Sequence, residues 1–231
     1  MRVQSLTPAV AGIALLAPTT LPATPPPLRV EPVVRHEGAV LAADLLAKVR
    51  DCVPVSAGRY RSDAGRPATI PVCGARGAVF WKADMDIDCD GRPGPRCNGR
   101  TDPLFSEATA FQQSDGRHLS AERLPYIVVP AASALWNHRE HGVHGGSVAA
   151  VVHRGRVRYA VVGDVGPYDI IGEASYATAE ALGVRADPRR GGAASGVTYI
   201  VFKDTRVTPI ENHQAAERLG ERLAKEFVRT G

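Results

Sequence analysis

Carboxylates carry the chemistry open to this chain. Asp84, Asp86, Asp88 and Asp90 fall within seven residues, in the block VFWKADMDIDCDGRPGPRCNGRTDP at 79–103. Beside apolar Val79, Phe80, Trp81 and Ile87 they repel one another unless something cationic answers them. That answer is either a metal ion or a ligand carrying positive charge. Asp86–Gly91 opens like a calcium loop, DxDxDG. The fit then breaks: the twelfth position, where a bidentate glutamate belongs, is Cys97, and prolines stand at 93 and 95. Read as a strand, the same residues put Asp84, Asp86 and Asp88 on one face and Met85 and Ile87 on the other. Such a row lining a groove suits a cationic sugar chain.

A second acidic element, YAVVGDVGPYDIIGEAS, follows about seventy residues later. Asp164 comes directly after an apolar strand, where a side chain emerges at a rim. Glu173 lies nine residues on and reads as the start of a helix. Two carboxylates facing across a cleft are the minimum equipment for glycoside hydrolysis: an acid for the leaving oxygen and a base for water. The plainer reading is that Glu173 only complements a helix N-terminus. His138, His141 and His144 (NHREHGVHGG) do not form HExxH and read as exposed loop histidines. Trp81, Trp136, Tyr168 and Tyr176 either stack on sugar rings or pack in the core. No phosphate loop and no GxSxG elbow is present.

The elements that position these residues are short. A helix is expected over 38–50, irregular chain over 51–76, and a strand over 77–88 running into the Asp block. LPYIVVP at 124–130 is a buried strand between prolines. Val148–His153 and Val157–Val162 flank Arg154-Gly155-Arg156 as a β-hairpin. Ala174–Leu182 is a helix closed by Gly183, VTYIVF at 197–202 a strand, and Asn212–Val228 a closing helix with Ala216, Leu219, Leu223 and Phe227 on one face. Apolar strands with marginal helices indicate a mainly β, α+β protein built on a compact β-barrel.

At 231 residues, 44% hydrophobic and 23% charged, the chain suits one soluble domain. A net charge of +4 from scattered arginines gives no case for nucleic acid. Arg2, the apolar run AVAGIALLAP at 9–18 and Leu21-Pro22-Ala23 resemble a secretory signal over 1–23. A Pro-rich leader follows at 24–36, and 37–231 is left as a single domain. The apolar run is too short to span a bilayer, and no other segment is a better candidate. Four cysteines in an exported chain suggest two disulfides. Cys52–Cys73 and Cys89–Cys97 are favoured among three pairings; zinc is disfavoured, since no CxxC pair is present.

Taken together, FWKADMDIDCDG, Cys97 with TDP at 101–103, TAF at 109–111, YAVVGD at 159–164, IIGEAS at 170–175 and GVTYIVF at 196–202 resemble the fungal-type chitosanases of glycoside hydrolase family 75. The resemblance covers most of residues 60–203. It implies a secreted endo-acting enzyme that cleaves chitosan with inversion, with Asp164 and Glu173 as the essential pair. Asp84, Asp86, Asp88, Asp90, Trp81, Asp102 and Tyr168 are then expected to bind chitosan and its glucosamine oligomers. A monomer without metal or cofactor is expected, in contact with neither nucleic acid nor membrane. The D-x-x-x-x-x-I-x-G pattern from Asp164 to Gly172 is also similar to the acidic motif of double-psi β-barrel enzymes, including certain lytic transglycosylases. A secreted barrel that binds glycan or calcium without hydrolysis is the competing reading, and a lytic transglycosylase acting on peptidoglycan is a third.

Overall fold

The computed structural model describes residues 39–230. The expected signal and the Pro-rich leader lie outside them. The elements run α1 (Ala42–Lys48), β1 (Val53–Pro54), β2 (Cys73–Ala75), β3 (Ala78–Asp88), β4 (Tyr126–Pro130), a 3-10 turn (His138–His141), β5 (Val148–His153), β6 (Arg156–Gly166), β7 (Glu173–Ser175), α2 (Tyr176–Leu182), β8 (Ala193–Phe202) and α3 (His213–Arg229).

Six of the strands close a ring in the order β3-β7-β4-β6-β5-β8, because β8 pairs back onto β3. The β3–β7 and β4–β6 pairs are parallel, and the other pairs of the ring are antiparallel. This is the compact barrel with added helices that the sequence led us to expect. On one edge β3 pairs first with β2, at Ala78–Phe80, and then with β7, at Asp86–Asp88. Its other edge runs antiparallel to β8 from Ala78↔Phe202 to Met85↔Ala193, with a register shift between Ala83 and Met85.

The strands are apolar on both faces because both faces are covered. Trp81, Met85, Ile127, Val151, Val162 and Tyr199 belong to one buried cluster, which also takes in Ala179 and Leu182 of α2. Their strand neighbours Phe80, Tyr126, Val128, Ala150, Val161 and Ile200 belong to a second, beneath α1 and α3. Within α3 the deepest residues are Ala216, Gly220, Ala224 and Phe227. Leu219 and Leu223, expected on that face with Ala216 and Phe227, pack at its margin because small residues let the helix approach the sheet closely. Two disulfides, Cys52–Cys73 and Cys89–Cys97, join the cysteines in the favoured pairing.

Candidate active site

Three strands converge to build the site. The end of β3 runs parallel to β7, with Asp86 opposite Glu173 and Asp88 opposite Ser175. On β6 the ladder to β4 steps from Ile127↔Val162 to Val128↔Asp164, so Gly163 is an extra residue. A bulge of this kind re-aims the following side chain. Only glycine fits there, since a Cβ at Gly163 would meet the Tyr126 side chain at 2.5 Å. Asp164 is thereby turned into a cleft of about 350 Å³, which Asp86, Asp88, Asp90, Asp102 and Glu173 also line. A Cβ at Gly166 would come within 2.7 Å of Glu173 Oε2, so the Glu173 carboxyl rests over the chain two residues beyond Asp164.

The sequence reading put Glu173 at a helix start. The structure corrects this: Glu173 opens the short strand β7, and Ser175 caps α2 by accepting the Thr178 N–H. A parallel partner in β3, itself far away in sequence, overrides the local helical pattern. Glu173 is therefore not part of the helix N-terminal turn.

The two carboxyls differ in surroundings. Asp164 Oδ1 accepts the N–H groups of Ala110 and Val165, each at 2.7 Å. Burial still pushes its pKa up to about 6, against those two bonds. Burial, then the charges of Asp86, Asp90, Asp164 and Asp84, push Glu173 up to about 7. Asp88 is raised well above the ordinary carboxylate value by burial and by Asp164. Asp88 Oδ1 accepts the Asp90 N–H at 2.6 Å, and Asp90 Oδ1 accepts the Ser106 N–H at 2.8 Å.

Asp88, Asp90 and Asp164 each bring one carboxylate oxygen within 4.8 Å of the others. Three carboxylates match a hard cation in kind, but a calcium ion takes six to eight oxygens. Each of these residues already spends Oδ1 on backbone donors. Three side-chain carboxylates are fewer than the six to eight oxygens of a calcium cage, and waters or carbonyls would have to supply the rest.

The expected row is divided. Asp86, Asp88, Asp90, Asp102, Asp164 and Glu173 share the first cleft, while Asp84 faces an adjoining one. Asp102 Oδ1 also accepts the Leu104 N–H, which shapes the rim. Trp81 is not a sugar platform. It is fully buried, stacked on Tyr199 at 5.3 Å and edge-on to Trp136 at 6.4 Å. Tyr168 is exposed next to Pro167, which lines the cleft, but does not itself line it. Tyr176 lies beneath the Arg96 guanidinium. His138 is buried against Trp136 with Nδ1 on the Val143 carbonyl, so the reading of all three histidines as exposed holds for His144 alone.

Several site residues were not foreseen. Arg189 donates to the Thr101 and Arg100 carbonyls and closes one wall of the first cleft beside Asp187. Asp63 reaches the second cleft from the stretch read as irregular. Neither follows a local pattern; each is brought in by a loop crossing. The TDP string was the one available hint of the loop that Arg189 grips.

Comparison with known proteins bears on this acidic cleft. The profile of a family described as fungal chitosanase of glycosyl hydrolase group 75 matches residues 85–230, more than half of the chain. The chain belongs to this family. Among curated members, an endo-chitosanase C of Aspergillus oryzae is 33% identical over 141 residues, 58% of this chain and 34% of its own length. An endo-chitosanase of Aspergillus fumigatus is 29% identical over 184 residues, 74% of this chain and 76% of its own length. The chain thus spans about a third of the first relative and about three quarters of the second. A solved structure, Streptomyces papain inhibitor, overlaps 58% of the chain at 17% identity and a TM-score of 0.35, too distant to bear on the fold. The family match begins at Met85 and so includes Asp86, Asp88 and Asp90 of the first acidic element and all of the second.

Proposed function

We propose that residues 37–231 are one catalytic domain that hydrolyses the β-1,4 bonds of chitosan internally, by an inverting mechanism. The observation that carries this is Asp164 and Glu173 in one acidic cleft, with pKa values raised to about 6 and about 7. Glu173, protonated in its desolvated position, gives its proton to the glycosidic oxygen as the bond from that oxygen to the anomeric carbon breaks. Asp164, ionised and held by two N–H groups, takes a proton from water as the water oxygen bonds to the anomeric carbon from the opposite face. Inverting pairs stand about 6.5–9.5 Å apart to leave room for that water. Around the pair, Asp86, Asp88, Asp90 and Asp102 set a negative field that draws a chain of ammonium groups into the cleft. The relatives' names, which include endo-chitosanase, support the substrate. Two disulfides fit an oxidising, extracellular setting, in which the protein acts as a monomer.

The test is release of reducing ends from soluble, fully deacetylated chitosan, with proton NMR of the first product. The α-anomer is expected. A β-anomer would replace inversion by retention. No release, or anhydro-sugars from peptidoglycan in its place, would overturn the assignment.

A further inference from the structure

Neither the TAF string at 109–111 nor Gly145 of the histidine-rich loop lines the catalytic cleft, yet both lead to Asp164. Of the two N–H groups on Asp164 Oδ1, that of Val165 belongs to the next residue and moves with it. That of Ala110 comes from 54 residues away and ties the carboxyl to another part of the fold. Asp164 is only 6% exposed, with carboxylate oxygens of Asp88 and Asp90 within 4.8 Å. Carboxylates this close repel one another, so a fixed donor decides where this one points.

The segment from Ser106 to Leu119 holds that donor in place. Thr109 is buried, and its hydroxyl donates to the Phe111 carbonyl at 2.7 Å while accepting the Leu119 N–H at 3.1 Å. One side chain thus spans Ala110 and joins it to the returning chain. The His118 Nδ1 lies 3.1 Å from the Thr109 nitrogen and 3.0 Å from its carbonyl oxygen, and bonds to one or the other according to its tautomer. The Phe111 ring packs against the core cluster that contains Trp81, and a Cβ at Gly145 would meet that ring at 2.3 Å. At the two ends, the Ser106 N–H reaches Asp90 Oδ1, and Leu119 packs over Gly163, where a Cβ would meet it at 2.9 Å. The segment therefore straps Asp90, Asp164 and the bulge that turns Asp164 into the cleft.

We propose that Thr109 is a positioning residue for the hydrolysis: its hydroxyl holds the strap so that the Ala110 N–H fixes the Asp164 carboxyl towards the attacking water. This role rests on the reading of Asp164 as the base of a chitosan hydrolase. Thr109 is buried outside the cleft and acts through Ala110. Without the hydroxyl, the Phe111 carbonyl and the Leu119 N–H lose their partner and the strap relaxes. Asp164 then loses a donor that favours its ionised form, so the base ionises only at higher pH. A residue that served stability alone would leave the pH profile where it was.

The experiment compares Thr109→Val, close in shape but without the hydroxyl, with Thr109→Ser, which keeps it. Both kcat and KM are measured on fully deacetylated chitosan across the pH range. Thr109→Val should move the acid limb of kcat/KM upward by about one pH unit, the share of one N–H bond to a carboxylate. It should lower kcat by about tenfold, through a misplaced base, with KM little changed. Thr109→Ser should restore both. Gly145→Ala, whose methyl would press on the Phe111 ring, alters no charge and should shift the limb in the same direction; it serves if Thr109→Val does not fold. A wild-type acid limb in the folded variants, with or without a lower melting temperature, overturns the positioning role and leaves the hydrolase reading standing. Failure of the wild-type protein to cleave deacetylated chitosan overturns the hydrolase reading itself.

Discussion

In the proposed mechanism, two N–H donors favour an ionised Asp164 as the base, and an acidic, desolvated setting favours a protonated Glu173 as the acid. The base must be ionised, so kcat/KM should rise as pH passes about 6, the value for Asp164. The acid must be protonated, so it should fall as pH passes about 7, the value for Glu173. A pH–rate profile between pH 4 and 9 checks this narrow bell; a plateau extending well above pH 8 would reverse or remove the role of Glu173. Asp164→Asn and Glu173→Gln should each lower kcat by about 10²–10⁴-fold, the usual contribution of general acid–base groups, with the melting temperature held. Near-native turnover in either folded variant would dismiss the pair. The sequence pointed to both residues, through the strand-end position of Asp164 and the family resemblance, and the fold brings them to one cleft. The roles of Trp81 and His138 were not legible, since burial is decided by what packs on top. The partners of Trp81 are Tyr199 and Trp136, both far away in sequence.

At the scale of elements, the long apolar strands and the terminal helix were readable from periodicity alone. Strands β1, β2 and β7, of two or three residues each, were not. Their hydrogen bonds come from distant partners, and no window of sequence contains both sides of such a ladder. Strand β7 matters most, because it carries Glu173 over Gly166. Gly166→Ala should push the Glu173 carboxyl aside and lower kcat by at least tenfold, with a smaller effect on stability, as the contact is with a side-chain tip. Kinetics and thermal melts on the same preparation separate the two effects. The Cys89–Cys97 bridge spans eight residues and closes a loop that Glu122 also grips, accepting the N–H groups of Arg96 and Cys97 at 2.6 Å. A short loop gains about 2–3 kcal/mol from cross-linking in the chain-entropy model. Replacing both cysteines by serine should therefore raise KM for chitosan several-fold while the protein still folds, because Asp88 and Asp90 lose a rigid neighbour. A variant with unchanged KM would confine the bridge to stability.

For the molecule as a whole, the acidic groove is a stability liability with a definite pH signature. Asp84, Asp86, Asp164 and Glu173 all have folded pKa values raised above the unfolded ones, to between about 6 and about 7. The folded state then binds protons that the unfolded chain has released, so stability falls as pH rises from about 4 to about 7. Asp115 and Asp187 are shifted the other way by arginine partners at the surface, where solvent screens them. The melting temperature should drop by several degrees across that window, and glucosamine oligomers should recover part of the drop. Calorimetry in matched salt checks it; a melting temperature that climbs through the window would contradict the assigned pKa directions. Closing the ring through β8 also governs the timing of synthesis. Ala78 of β3 pairs with Phe202 of β8, and the other four strands of the ring lie between them in sequence. A ribosome that has reached Asp187 has made both members of the catalytic pair yet no barrel, and the edge of β3 still waits for its neighbour. The nascent chain should stay open until its final strand arrives, so the proposed activity should appear in one late step.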